Sequence, residues 1–185
     1  QRLGLQGRVT GSHLTSMHSM DNYYVSKLLP LIAEAGVHAV ANPLINITLQ
    51  GRHDTYPKRR GMTRVPELMA AGLNVAFGHD CVMDPWYPLG SADMLEVAAM
   101  GLHVAQMTSV QGQRQCFDAV TVNNARILGL DGYGLDVGCR ADFVLLQATS
   151  PEEALRLRAQ RLLVVRGGTV LSRMAPAVAE LSLPG

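Results

Sequence analysis

The most informative segment of the sequence is Leu73-Asn74-Val75-Ala76-Phe77-Gly78-His79-Asp80, a short apolar segment that ends in glycine and two ionisable side chains. It follows a helix-like segment over residues 65–71, in which Pro66 suits the first helical turn and Gly72 suits the end. Short apolar segments that alternate with amphipathic helices are typical of buried parallel strands. We therefore predict a strand over residues 74–77 and an α/β fold.

The same order of elements occurs twice upstream of this strand. A strand is predicted over residues 7–12 with a helix over 22–35, and a second strand over 37–41 with a long loop over 42–61. Helices are expected at 92–106 and 114–128. Because three βα units cannot close a barrel of eight strands, we expect the missing strands to lie N-terminal to Gln1. A small open sheet completed in another way is the alternative.

The character of the sequence changes after Gly138. Residues 141–147 and 162–172 are strand-like, and Gly167-Gly168 is typical of a hairpin turn. We therefore divide the chain into a barrel portion, residues 1–137, and a β-rich portion, residues 138–185.

Composition excludes several classes of protein. Of 185 residues, 48% are hydrophobic and 17% charged, with a formal net charge of +1 and one dense basic cluster, Lys58-Arg59-Arg60, so neither disorder nor nucleic-acid binding is expected. No apolar run approaches the roughly 20 residues that span a bilayer. The three cysteines form no C-x-x-C pair, which argues against a disulfide framework and a thiolate zinc site. We expect a cytoplasmic protein.

Two chemically capable side chains follow predicted strands, where parallel α/β folds place their ligands. Asp80 could bind a divalent metal or act as a base, or it could cap the following turn. His13 could act at the same edge, or it could be a half-buried histidine bonded to a backbone carbonyl.

Two further features are less specific. Trp86, the only tryptophan, could stack on a planar ring or plug the barrel mouth. The charged loop over residues 50–61 could be a lid or a solvated loop, and we assign it no chemistry.

Several long stretches resemble the cytosine deaminases of the amidohydrolase superfamily. They cover residues 7–107 and are Arg8-Val9-Thr10-Gly11-Ser12-His13, Ala41-Asn42-Pro43-Leu44-Ile45-Asn46, Leu49-Gln50-Gly51-Arg52, Asp54-Thr55-Tyr56-Pro57-Lys58-Arg59-Arg60-Gly61, Gly78-His79-Asp80, Asp84-Pro85-Trp86-Tyr87-Pro88-Leu89-Gly90 and Met100-Gly101-Leu102-His103-Val104. The later stretches 124–130 and 141–145 resemble amidohydrolases in general.

The resemblance implies a fold and a chemistry. The fold is the C-terminal part of a distorted TIM barrel, its last three βα units, followed by strands of a small β-sandwich. One divalent metal, iron or zinc, activates water for hydrolytic deamination of cytosine or a related cyclic amidine. Asp80 matches the metal-binding catalytic aspartate, His13 matches a histidine that acts in catalysis and at the substrate, and Trp86 and Cys81 match positions lining the pyrimidine pocket.

Two departures from the family pattern limit this prediction. The other metal ligands, the proton-shuttling glutamate and a substrate-binding glutamine belong upstream of this sequence, so the 185 residues alone should be inactive. Cys81 stands where the family usually has a second aspartate, so isocytosine, isoguanine and creatinine are alternative substrates. A non-catalytic relative of the family is the alternative interpretation. A dinucleotide-binding oxidoreductase is not expected, because no predicted strand is followed by a G-x-G-x-x-G motif. We expect the protein to form a homo-oligomer and to bind a small-molecule substrate, a pyrimidine or a cyclic amidine.

Overall fold

The computed structural model describes residues 2–182 of the chain. Six strands and seven α-helices are formed by these residues, together with one 3-10 turn over Thr15–His18. In chain order they are β1 (Val9–Ser12), α1 (Asn22–Glu34), β2 (Val37–Ala41), α2 (Pro43–Leu49), α3 (Val65–Ala70), β3 (Val75–Phe77), α4 (Met94–Val104), α5 (Val110–Ala119), α6 (Val122–Leu128), β4 (Phe143–Leu146), α7 (Pro151–Leu157), β5 (Arg161–Arg166) and β6 (Thr169–Arg173).

The first three strands form one parallel sheet in the order β1-β2-β3, which confirms the predicted α/β fold. Ala39 and Ala41 of β2 and all three residues of β3 are completely buried, since α3, α4 and α5 pack on β3. Strand β1 lies at the sheet edge and is largely exposed. Apolar β3 is thus at the centre of the core.

The outer edge of β3 is bonded by side chains instead of a fourth strand. The amide of Asn123 donates to the carbonyl of Val75 at 2.8 Å, and that of Asn124 donates to the carbonyl of Phe77 at 2.9 Å. Both asparagines lie on α6, so the predicted single helix over 114–128 is wrong. It divides around Thr121, where three consecutive β-branched residues disfavour a helix and the break turns both amides towards β3.

The prediction of a continuous loop over residues 42–61 is also wrong, because Pro43–Leu49 form helix α2. Proline is well tolerated at the first helical position, and Leu44 and Ile45 are buried against the core. Burial of this short helix depends on its neighbours, which residue patterns alone do not reveal.

The C-terminal residues form an antiparallel sheet in the order β4-β5-β6. The hairpin turn predicted at Gly167-Gly168 is confirmed, with φ values of 56° and 77° that suit glycine. Helix α7, not predicted, is capped by Ser150 and packs on α4 and α5. None of the helices within residues 2–182 has the length and apolar character needed to cross a membrane.

Candidate active site

The carboxyl ends of the three parallel strands bring polar side chains to one edge of the sheet. His13 follows β1, Asn42 follows β2, and Asp80 comes three residues after β3. The closest approach of the two predicted catalytic residues is 3.5 Å, from Nε2 of His13 to Oδ2 of Asp80. The side chains are 41% and 34% exposed respectively, so both the imidazole and the carboxylate remain open to a ligand.

Both of these residues have a left-handed backbone that is unusual outside glycine. The φ angle is 64° at His13 and 66° at Asp80. Such a conformation costs an L-residue about 1–2 kcal/mol, and residues held this way cluster at functional sites. Five other non-glycine residues of the described part share this conformation, Leu14 and Met83 among them, so the backbone agrees with a functional role at His13 and Asp80 but does not single them out.

Two buried asparagines support the ring of His13. Nδ2 of Asn46 lies 2.8 Å from Nδ1 of His13, and Nδ2 of Asn42 lies 3.2 Å from the same nitrogen. The asparagines are 2% and 3% exposed. The ring thus contacts side-chain amides through Nδ1. These amides stand where, from the sequence, we considered a backbone carbonyl as the partner of His13.

His79 lies beneath the site and shapes the backbone that carries Asp80. It is buried, its Nδ1 lies 2.8 Å from the carbonyl oxygen of Cys81, and its ring meets Tyr87 edge-on at 6.3 Å between centroids. A side chain at Gly90 would meet this ring at 2.5 Å, so only glycine lets the loop pass so closely. The histidine positions the turn after β3, a role that we did not assign to it from the sequence.

Cys81 is partnered by a carboxylate from the following turn. A hydrogen bond to Asp84 is the main reason that the pKa of the Cys81 thiol rises to about 11, with desolvation and the negative charges of Asp80 and Asp84 adding to it. Asp84 also accepts the backbone N–H groups of Trp86 and Tyr87, both at 2.9 Å. Asp84, and not Asp80, therefore caps this turn, and Cys81 is a neutral thiol near pH 7.

Trp86 lies on the outer side of that turn. The residue is 68% exposed, so most of its surface is open to solvent among the described residues. These residues form only three strands of parallel sheet, so both stacking on a planar ring and plugging a barrel mouth stay predictions for Trp86.

The charged loop over residues 50–61 is tied to the rest of the protein. Arg59 pairs with Asp54 and donates to the Oγ of Ser19, and Arg60 donates to the carbonyl of Val104 at 3.1 Å. The hydrogen bond from Arg59 is the main cause that lowers the pKa of Asp54 to about 2. The loop is therefore held against the segments that carry Ser19 and Val104.

The described residues do not by themselves form a metal centre. Across residues 2–182, no group of three or more His, Cys, Asp or Glu side chains comes together as a metal site. Asp80 offers the oxygen ligands that suit a divalent ion, yet a catalytic zinc site takes three protein ligands. These residues thus supply one donor of the right kind and too few donors in number.

Sequence reasoning missed Asn42 and Asn46. Asn42 follows β2 directly, so the rule that selected His13 and Asp80 applies to it equally. Asn46 lies one helical turn later, and its proximity to His13 could not be inferred while α2 was taken for a loop.

Comparison with known proteins identifies the family. The sequence profile of the Amidohydrolase family matches residues 1–172. The pterin deaminase of Rhizobium rhizogenes (strain K84 / ATCC BAA-868) is 35% identical over an alignment 185 residues long. The match covers 97% of this chain and 41% of that protein. The N-isopropylammelide isopropyl amidohydrolase of Pseudomonas sp. (strain ADP) is 28% identical over 169 residues, covering 91% and 39% respectively.

A solved structure agrees with the fold. The crystal structure of 5-methylcytosine deaminase from Klebsiella pneumoniae, liganded with 5-fluorocytosine, superposes with a TM-score of 0.94 and 41% sequence identity. The match covers 97% of this chain and 44% of that chain, so the 185 residues span less than half the length of these relatives. Since the family profile extends over nearly the whole sequence, the chain belongs to the amidohydrolase family.

Proposed function

We propose that this chain forms part of a metal-dependent enzyme that hydrolytically deaminates an amino-substituted nitrogen heterocycle. Water replaces the exocyclic amine at a ring carbon, leaving a carbonyl and releasing ammonia. The observation that carries the proposal is the approach of His13 to Asp80, 3.5 Å apart at the carboxyl edge of the parallel sheet. Relatives whose names describe deamination of pterin and 5-methylcytosine support this chemistry.

Asp80 and His13 carry the catalytic roles in this proposal. Asp80 presents an exposed carboxylate that can bind the metal and contact the attacking water. His13 faces that carboxylate through Nε2 and stabilises charge that develops at the reacting carbon. Their left-handed backbones agree with these roles, because such a φ persists only where the surroundings impose it, but five other non-glycine residues of the described part share the conformation.

The proposed cofactor is one divalent ion, iron or zinc, with Asp80 among its ligands. When bound, such an ion supplies hydroxide near neutral pH. Because the described residues offer too few donors, the remaining ligands are proposed to come from protein sequence outside these 185 residues.

The first candidate substrate is cytosine or a 5-substituted cytosine, bound against Cys81 and Trp86. A neutral thiol accepts a ring N–H weakly, so a substrate that needs a carboxylate at this position loses about 1–3 kcal/mol of recognition. Cytosine itself is therefore expected to be a poorer substrate than a ring that gains from a smaller, less polar wall. A bicyclic ring of the pterin type is the second candidate, favoured by the protonated thiol of Cys81 and by the pterin deaminase relative.

The remaining architecture is proposed on the same basis. Strands β1 to β3 with their helices would be the last three βα units of a distorted TIM barrel within residues 1–137. Strands β4 to β6 would be part of a β-sandwich within residues 138–185, and exposed Phe143 and Leu145, which lie on the same face of β4, support a covering partner sheet. Residues 1 and 183–185 lie outside the described part. A cytoplasmic homo-oligomer, with no nucleic-acid or membrane partner, completes the proposal.

The test is ammonia release by the full-length protein across a panel of cytosine, 5-methylcytosine, isocytosine, isoguanine, creatinine and pterin. We expect turnover of at least one ring, and loss of that turnover and weaker metal retention in Asp80→Ala. Full activity and metal content in that variant would refute the role of Asp80, and no release from any ring would refute the deaminase proposal.

Position 81 has its own test. In Cys81→Asp, the ratio of kcat/KM for cytosine to that for the best panel substrate should rise. Cys81→Ser is the matched control, because serine is small and neutral and should leave the ratio near the wild-type value. An unchanged ratio in Cys81→Asp would show that this residue does not determine which ring is selected.

A further inference from the structure

The two buried asparagines act on one particular atom of His13. Both side-chain amides approach Nδ1, at 2.8 Å from Asn46 and 3.2 Å from Asn42, whereas Nε2 faces Asp80. The two nitrogens of the ring therefore meet different environments, an amide pair on one side and a carboxylate on the other.

The backbone determines which way the amide of Asn46 points. Its Oδ1 accepts the backbone N–H of Asn42 at 3.1 Å, and a backbone N–H can only donate. The NH2 group of Asn46 is consequently the part that faces His13. Because an NH2 group is a donor, Nδ1 of His13 has to accept, and it must carry a lone pair and no proton.

The side chain of Asn42 does not make the capping hydrogen bond that its position before α2 would allow. Asn42 is the N-cap residue of α2, where an asparagine usually accepts a backbone N–H of the first turn, yet its side chain makes no such bond. Instead its Nδ2 reaches His13 and, at 3.4 Å, the Oγ of Ser12. A Cβ at Gly78 would lie 2.4 Å from Oδ1 of Asn42, so glycine makes room for this orientation.

We propose that Asn42 and Asn46 are positioning residues that hold His13 as the neutral tautomer protonated on Nε2, the nitrogen on the ligand-accessible side of the ring, 3.5 Å from Oδ2 of Asp80. His13 then offers the reacting centre a hydrogen-bond donor and not a base. Such a donor stabilises negative charge that develops at the substrate. The catalytic consequence rests on the proposed function, whereas the tautomer itself does not.

The tautomer can be measured without turnover. The full-length protein with 15N-labelled histidines is examined by NMR, and the His13 signals are assigned by their loss in His13→Gln. We expect a protonated Nε2 and an unprotonated Nδ1 in the wild type. A wild-type spectrum with the proton on Nδ1 would overturn the proposal.

Asn46→Asp reverses the hydrogen bonding with the least change of shape. One carboxylate oxygen can still accept from the backbone of Asn42, but the other now faces Nδ1 as an acceptor, so Nδ1 should become protonated. Asn42→Asp is the second variant if the first does not fold. An unprotonated Nδ1 in the folded variant would also overturn the proposal.

Kinetics then separate this inference from the proposed function. In Asn46→Asp we expect kcat to fall about 10- to 100-fold with KM little changed, as for other residues that orient a catalytic group. Asn22→Asp, on the exposed start of α1, adds the same charge as a control and should change neither reading. A protonated Nδ1 with unchanged kcat would uphold the tautomer and refute the catalytic role of His13.

Discussion

Cys81 should resist alkylation because Asp84 holds its thiol proton. The pKa of about 11 means that about 1% of the thiol is ionised at pH 9, where an ordinary cysteine is about half ionised. Asp84→Asn removes the largest cause of that shift while its amide oxygen can still accept the N–H groups of the turn. Burial and the charge of Asp80 remain, so we expect alkylation of Cys81 to accelerate about tenfold at pH 9.

The other two cysteines provide controls within the same molecule. The rate is followed with iodoacetamide and peptide mass spectrometry on the full-length protein. Half-exposed Cys139 serves as the reference thiol, and buried Cys116, whose pKa desolvation raises to about 12, should stay unmodified. Wild-type Cys81 that reacts as fast as Cys139, or an Asp84→Asn protein with an unchanged rate, would refute the reasoning.

Three further predictions concern stability, each measured by denaturation of the full-length protein. Asp80→Gly should be about 1 kcal/mol more stable than Asp80→Ala, because glycine adopts a left-handed φ without steric strain. Equal stabilities of the two variants would show that the backbone at position 80 is not strained. Phe77→Ala should cost about 3–5 kcal/mol, since its ring is completely buried, and a loss below 1 kcal/mol would exclude it from the core. Burial alone would raise the pKa of Asp93, but the hydrogen bond from Arg161 helps to lower this pKa overall. The ion pair therefore stabilises the folded state fully above the ordinary pKa of 3.8, and this stabilisation is lost as the pH falls through the lowered pKa of the folded state. The stability deficit of Asp93→Asn at pH 7 should therefore shrink below pH 4, and a pH-independent deficit would refute the ion pair.

Local sequence patterns were sufficient to predict the elements whose conformation depends mainly on their own residues. Strand β2 was predicted at its observed bounds, Val37–Ala41, because a short apolar segment between Gly36 and Asn42 has few other ways to bury itself. The turn at Gly167-Gly168 was equally local, since only glycine adopts both positive φ angles easily. His13 and Asp80 were found by their place after strands.

Elements that depend on distant partners could not be predicted in the same way. Helix α2 is only seven residues long and would be marginal by itself, so its formation depends on the burial of Leu44 and Ile45 by the core. The break between α5 and α6 is stabilised by amides that reach β3, some 48 residues earlier in the chain.

The family, the parallel strands and the two residues at their ends could be predicted from the amino-acid sequence, because periodicity, glycines and strand ends are properties of neighbouring residues. The surroundings of those two residues became visible in the folded chain alone. Asn46 lies 33 positions from His13 in the chain and 2.8 Å from it in space, and Asn42 lies 29 positions from His13 and 3.2 Å from it. Hydrogen bonds of this kind depend on angles and distances between separate elements, and no local pattern encodes them.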